Sequence, residues 1–162
     1  MREGNREPRA EPLRLPTGYG TPSTTLGWAV VRARLASARQ YWVITCRADG
    51  RPHVVPVDGL WLDDVWYYGG GDDAVHVRTA RERPQVAMHL PDPQRAVVVE
   101  GRVRPASPDR ALTRRLAEES HAKYPEYGAG AESFAGALAL DPVRVLAWTS
   151  YPTDATRFVF AT

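Results

Sequence analysis

The chain of 162 residues has a single cysteine, Cys46, so no disulfide can close within it. Cys46 falls inside a strand pattern, where a buried, inert thiol is expected. Long apolar runs are missing too: none reaches the roughly 20 residues of a membrane-crossing helix, and the start lacks the apolar stretch of a secretory signal. A cytoplasmic location with no membrane partner is the expectation. Charge of one sign is absent as well. Lys and Arg number 21 against 19 Asp and Glu, and a net charge of +2 leaves no footprint for nucleic acid. The four histidines, His53, His76, His89 and His121, include no pair at close ligand spacing, and no Cys-x-x-Cys is present, so no metal site is expected. The Gly-x-Ser-x-Gly elbow of serine hydrolases and the phosphate loop ending in Gly-Lys-Ser/Thr are both missing. If the chain catalyses a reaction, the difficult chemistry belongs to a bound cofactor.

What is present is a 43% hydrophobic, 25% charged chain of ordinary globular composition, long enough for one sizeable core. Its organising stretch is 41–68, YWVITCRADGRPHVVPVDGLWLDDVWYY. Aromatic and β-branched residues make 41–46 a strand, and Asp49-Gly50 supplies a tight turn. A second strand covers 52–62. Pro56 lies inside it and can donate no ladder hydrogen bond, so an edge or a bulge is expected there. Asp63-Asp64 turns the chain into a third strand over 65–68.

Residues 1–22 are polar and punctuated by Pro and Gly, which reads as a flexible arm ahead of a domain over 23–162, with Leu13, Leu15 and Tyr19 its only anchors for a partner subunit. Ser23, Thr24 and Thr25 offer caps for a helix over 26–39, whose Leu26, Ala29, Val30 and Ala33 repeat at helical spacing. Gly69-Gly70-Gly71-Asp72-Asp73 leads into a short helix over 74–83, the aspartates serving as caps. Strands follow over 84–90 and 95–104, the latter bulged at Glu100-Gly101. Ser107-Pro108 starts a helix over 109–123 with Ala111, Leu112 and Leu116 inward, and a loop occupies 124–136. Strands over 143–151 and 157–160 close the chain. The fold class expected is mostly antiparallel β with flanking helices.

The order and content of these segments resemble the pyridoxamine 5′-phosphate oxidase-like split β-barrel superfamily, which includes FMN-binding proteins and reductases using the deazaflavin coenzyme F420. The residues that carry the resemblance are 41–45, 49–57, Trp61-Leu62-Asp63, 78–86 (RTARERPQV), 97–101 and Asp154-Ala155-Thr156-Arg157-Phe158. The resemblance implies a six- to seven-stranded split barrel of the FMN-binding type, and a homodimer with a cofactor, FMN or F420, at each subunit interface. It implies a ring against Val55, Pro56 and Val57, a phosphate held by His76 and Arg78, and Trp61 and Tyr68 shaping a pocket for a small-molecule substrate. Trp148 is a candidate to stack on the ring or fill the interface. Arg157 is a candidate cofactor contact from the other subunit, or an ion pair at the barrel seam. The chain departs from the family at the phosphate, with Asp73, Ala74 and His76 where a basic residue, Ser and Lys are usual. Two lost charge-assisted hydrogen bonds weaken phosphate binding by about 3–6 kcal/mol. The function implied is hydride transfer to or from a small molecule. The alternative is a non-catalytic protein that holds a flavin or a haem.

Overall fold

In the computed structural model, which describes residues 7–127, 134 and 136–161, the strands form one antiparallel sheet with three α-helices against it. In chain order the elements are β1 (Arg9–Pro12), α1 (Trp28–Ser37), β2 (Tyr41–Cys46), β3 (Pro52–Val57), β4 (Gly59–Leu62), β5 (Val65–Tyr68), α2 (Val75–Glu82), β6 (Gln85–His89), β7 (Val97–Pro105), α3 (Arg110–Lys123), β8 (Leu138–Ala147) and β9 (Thr156–Val159). The main path runs β1-β9-β8-β7-β6-β2-β3, and the β4–β5 hairpin joins at β8. The first part of β8 pairs with β5 and its last part with β9, so β8 changes partner along its length. No described helix is long and apolar enough to cross a membrane.

Nine strands among the described residues exceed the six or seven read from the sequence for two reasons. Asp58 divides the stretch 52–62 into β3 and β4, two residues after Pro56. The segment assigned to a flexible arm also contributes a strand: Arg9–Pro12 pairs with β9, Leu13 N donates to Ala155 O, and Ser23 N donates to Thr153 O. Backbone pairing does not need the apolar side chains that this segment lacks, which is why composition alone missed it. Residues 1–6 of the arm, and 128–133 and 135 of the loop after α3, lie outside the described residues.

β3 is the sheet edge opposite β1 and pairs only with β2. Its two prolines can occupy only positions whose amide direction points away from β2, because neither can donate to it. Pro52, Val54 and Pro56 share that parity, so the free edge carries three carbonyls and one N–H, from Val54. Such an edge resists addition of another strand.

The expected bulge is present, a register shift between Glu100 and Gly101. A Cβ on Gly101 would lie 2.3 Å from Asp141 O, so only glycine lets β7 and β8 approach there. The tip between β4 and β5 is a two-residue turn with positive φ at both Asp63 (52°) and Asp64 (58°), a left-handed pair that Asp tolerates. The aspartates are not both solvated turn formers. Asp64 is buried, accepts from Trp28 Nε1 at 3.2 Å, and takes a two-point contact from Arg32 at 3.0 and 3.1 Å. Asp63 pairs on the exposed side with Arg115 of α3.

Helix details correct several expectations. α1 buries Trp28, Val31 and Leu35, while Ala29, Val30 and Ala33 are exposed. The large indole claimed the inward stripe, since it removes more apolar area from water than any alanine. No side chain of 23–25 caps α1; its N-cap is Gly27, and Leu26 N donates instead to Thr156 Oγ1 at 2.8 Å. α3 is capped by Asp109, which accepts from Leu112 N at 2.8 Å, and not by Ser107. Leu116 is buried, Leu112 half-buried, and Ala111 exposed.

α1 and α2 cover one face of the sheet, where Tyr41, Val43, Met88, Val99, Val145 and Phe158 form the main core. α3 covers the other face only behind β4 and β5, packing Leu116 and Tyr124 on Leu60, Tyr67 and Ala139. Lys123 ends α3 half-buried, donating to Ala38 O at 2.9 Å and to Tyr41 Oη at 3.1 Å, beside the Tyr41 and Tyr124 rings.

Removal of the Asp64 carboxylate strands a buried indole N–H and a half-buried guanidinium. Asp64→Ala is expected to lower the unfolding free energy by about 3 kcal/mol, and Asp63→Ala by less than about 1 kcal/mol, in urea titrations. A second outcome concerns pH. Burial pushes the Lys123 ammonium down to about 8 from an ordinary 10.5. Between those values the native state binds fewer protons than the unfolded chain, so stability rises with pH across that window. Burial also pushes Tyr124 up to about 12 and raises Tyr41, which reverses the slope above about pH 10. Urea titrations from pH 8 to 10 should show the rise in the native chain and a flattened profile in Lys123→Met.

Candidate functional site

Alternation along each strand assigns the two faces of the sheet. Along β2, Tyr41, Val43 and Thr45 are buried in the core, so Trp42, Ile44 and Cys46 point to the opposite side. The register carries that outer face across seven strands. Pro56, Trp42, His89, Val98, Leu146, Arg157 and Glu11 form one row by pairing. Beside it run Val54, Ile44, Ala87, Glu100, Arg144, Val159 and Arg9. The described helices do not cover these rows. Cys46 is exposed for this reason, correcting the expectation of a buried thiol.

A groove of about 800 Å³ runs over this open face. Ile44, Cys46, Pro52, Ala87, Val143 and Val159 supply its apolar wall. Its charges are paired, Glu100 with Arg144 and Glu11 with both Arg9 and Arg157. The hydrogen bond from Arg157 is the main reason the Glu11 carboxyl lies below the usual carboxylate range.

The residues expected to hold a cofactor fall into separate groups. Val55 and Val57 face the core side of β3, partly buried against the main core, and Pro56 faces the open side. α2 packs on β2 and β3 from the core side through Val77 and Ala80. This brings His76 and Arg78 to the β3 corner. Arg78 is exposed, and its guanidinium makes no ion pair or hydrogen bond among the described residues. His76 is engaged: its Nε2 lies 3.3 Å from Gly69 O, and a carbonyl can only accept, so Nε2 carries the proton. The glycines before α2 serve this contact. A Cβ on Gly70 would lie 3.0 Å from His76 Nε2, and the loop closes over the ring that stacks on Tyr68. Asp72 and Asp73 do not cap α2, whose N-cap is Ala74; Asp72 pairs with Arg81 at 2.8 Å.

Trp61 and Tyr68, expected as pocket walls, are buried core residues at 6% and 4% exposure. Trp61 meets Trp28 edge-on, and Tyr68 stacks on Trp66 with ring centroids 4.2 Å apart. β4 and β5 are buried on both faces, one against the main core and the other under α3, so neither strand leaves an aromatic wall facing solvent. Trp148 is half-buried at the end of β8, donating through Nε1 to Pro93 O at 3.2 Å, with Tyr151 packed edge-on. Arg157 forms the seam ion pair with Glu11. It also stands five strands from β3 along the sheet, on the face opposite α2. Arg157 and Arg78 therefore lie on opposite faces of one chain's sheet.

Two residues that the sequence reading set aside stand out. His53 lies on the core side of β3, opposite Thr45, and burial first, then Arg47 and His76, hold its imidazole below the usual histidine range. His89 donates from Nδ1 to Leu90 O at 2.8 Å and stacks on Trp42. Strand alternation read from 41–46 into 84–90 was the signal that could have placed His89 beside Trp42.

The profile of the pyridoxamine 5′-phosphate oxidase family matches residues 28–149, well over half of the chain. The chain belongs to the pyridoxamine 5′-phosphate oxidase-like split-barrel superfamily. No curated protein matches the sequence. Among solved structures it is similar to a pyridoxamine 5′-phosphate oxidase candidate from Listeria innocua, with TM-score 0.60, 15% identity, and coverage of 75% of this chain and 98% of that one. It is similar to an F420 reductase, with TM-score 0.52, 20% identity and coverage of 81% and 98%. It is also similar to HutZ, the haem storage protein of Vibrio cholerae, with TM-score 0.56, 15% identity and coverage of 74% and 89%. At these identities the likeness carries the fold, and a shared fold does not fix a reaction.

Histidine titration by NMR should place His53 below 6.5, and Arg47→Ala should move its midpoint upward by removing one of the repelling charges.

Proposed function

We propose that this chain forms a homodimer holding a planar redox cofactor, FMN or the deazaflavin F420, at the subunit interface, as an oxidoreductase for a small molecule. The observation that carries this reading is the division of the expected binding groups between two ends and two faces of one chain's sheet. Val55, Val57, His76 and Arg78 cluster at the β3 corner, while Arg157 lies at the far edge on the open face. A second copy of the chain would bring both groups to one ligand. The open apolar face supports that second copy, because exposed Trp42, Val54 and Val143 lose water contact when it packs there.

In this site the donor-poor β3 edge, with the carbonyls of Pro52, Val54 and Pro56, accepts hydrogen bonds from the ring's N–H groups. Arg78 holds the phosphate. Bound, the ring supplies two-electron hydride chemistry, and no described side chain needs to act as acid or base for it.

A second reading, a non-catalytic haem-binding protein, is favoured by the state of the phosphate groups. His76 Nε2 is engaged by Gly69 O and Arg157 by Glu11, so of the three residues expected to hold the phosphate Arg78 alone has a guanidinium without a partner among the described residues. A haem needs no phosphate cradle.

The test is the visible spectrum of the purified chain after incubation with FMN, F420 or haem and removal of excess, followed by a turnover assay with the reduced flavin or deazaflavin. The oxidoreductase reading predicts a retained flavin or deazaflavin band at micromolar protein. Arg78→Ala is expected to weaken it by about 10-fold or more, at 1.5–3 kcal/mol for a charge-assisted contact. Retention of haem alone supports the second reading, and retention of none contradicts both.

A further inference from the structure

We infer that Arg47, His53 and His76 form an anion site between the β2–β3 hairpin and α2, and that its ligand is the phosphate group of a small molecule. Neither Arg47 nor His53 is among the residues expected to hold a cofactor, and the site is separate from the Arg78 contact proposed above.

Strand register places the first two residues. Thr45 pairs with His53, and the ladder runs on beyond Cys46, with Arg47 N donating to Arg51 O at 2.9 Å. Alternation puts Arg47 on the same face as Thr45, diagonal to His53. This is the face on which α2 packs. α2 carries His76, and Arg83 at its end donates from Nη2 to Ala48 O at 3.2 Å, which ties the helix to the hairpin. The charges acting on the His53 imidazole are those of Arg47 and of protonated His76, and both are positive. Two neighbouring acids are committed elsewhere, Asp49 to Arg51 and Asp72 to Arg81, each at 2.8 Å, while Asp73 is exposed on the loop before α2.

The groups gathered here lack partners. Arg47 is half-buried, and its guanidinium makes no ion pair or hydrogen bond among the described residues; neither does a ring nitrogen of His53. Thr45, directly opposite His53 and only 1% exposed, has an unpartnered hydroxyl. Buried polar groups are ordinarily satisfied, and like charges held together without a counter-charge repel. A cluster that breaks both rules is arranged for an acceptor supplied from outside the chain.

Phosphate meets that need better than a carboxylate. A phosphate monoester carries nearly two negative charges at neutral pH, offers three acceptor oxygens and has a second pKa of about 6. Arg47 supplies a planar fork of donors, and protonated His53 can donate from both ring nitrogens. His76 keeps Nδ1 for the ligand, because Nε2 already donates to Gly69 O. A carboxylate brings a single charge and leaves part of the cluster uncompensated. The phosphate can be the cofactor's own or that of a phosphorylated substrate, since the recognition chemistry is the same.

The experiment is an NMR titration of the full chain with inorganic phosphate near pH 6.5, read by the histidine ring and phosphorus resonances, with chloride holding the ionic strength constant. It is repeated with FMN or F420 in excess, and on Arg47→Ala, His53→Gln and Arg114→Ala, with circular dichroism as the folding control. Arg114 is an exposed residue of α3, on the reverse side of the sheet, so its removal takes away one positive charge at a distance. The expected result is saturable binding that raises the His53 midpoint, about 10-fold or more weaker in Arg47→Ala and His53→Gln and unchanged in Arg114→Ala. In Arg47→Ala the His53 midpoint without phosphate rises while the further rise caused by phosphate shrinks, a pair of movements that a purely structural role for Arg47 does not produce. A response abolished by bound FMN or F420 identifies the cofactor as the source of the phosphate, and one that persists identifies a phosphorylated substrate. Phosphate that leaves His53 unmoved, that binds both site variants as tightly as the native chain, or that is lost equally in Arg114→Ala overturns the site. Flavin retention that depends on Arg78 would then leave the oxidoreductase reading standing. Phosphate binding at His53 in a chain that retains no flavin or deazaflavin would sink that reading and leave the site.

Discussion

A sheet has two faces, and the described helices of this chain cover little more than one. α1 and α2 seal the side carrying Tyr41, Val43, Met88 and Phe158, while α3 protects the reverse side only behind β4 and β5. The rest of the reverse face, seven strands wide from β1 to β3, stays open with Trp42, Val54, Ile44, Val143 and Val159 along it. Apolar area of this kind in water is unfavourable, and soluble chains keep it small unless something covers it. The groove, the exposed cysteine and the position of His89 all follow from that one imbalance.

The edges of the sheet reflect the same constraint. β1 extends it past β9 and is tied by the Glu11 contact to Arg157. At the other end, Pro52 and Pro56 leave β3 with one donor and three acceptors, a composition that discourages strand addition while leaving carbonyls for a ligand. Asp64 links the layers: one buried carboxylate holds the indole of Trp28 and the guanidinium of Arg32, fastening α1 to the β4–β5 hairpin. The proposed cofactor site draws on groups that a single chain keeps on opposite faces and at opposite ends of this sheet.

Much of the fold was legible in the residues, because its signals are local. The Asp-Gly turn, the edge proline at 56, and Glu100-Gly101 each act through backbone geometry, and each appears where read. Failures arose where tertiary context chose between equal local options. α1 offered two apolar stripes, and the Trp28 stripe won once β4 supplied Trp61 to pack on. Arg9–Pro12 lacked any apolar signal, since its partner is a backbone edge 144 or more residues away, as in Pro12 with Thr156. Trp61 and Tyr68 looked like pocket walls because aromatic content cannot distinguish a wall from a core. For the site, the sequence placed His76 and Arg78 together on α2, but it could not show Gly69 O occupying His76. His89 was passed over as a strand histidine; only the pairing of β6 with β2 puts it against Trp42 on the open face.

The central claim is that a second copy of the chain covers the open face. Sedimentation equilibrium of the native chain, beside a Val54→Glu, Val143→Glu variant that places charge on that face, tests it most directly. The account predicts a particle of two chains at micromolar concentration for the native protein and dissociation to single chains in the variant, with the circular dichroism of both unchanged. A native protein that sediments as a single chain at those concentrations, or a variant that remains as tightly paired as the native chain, would contradict it.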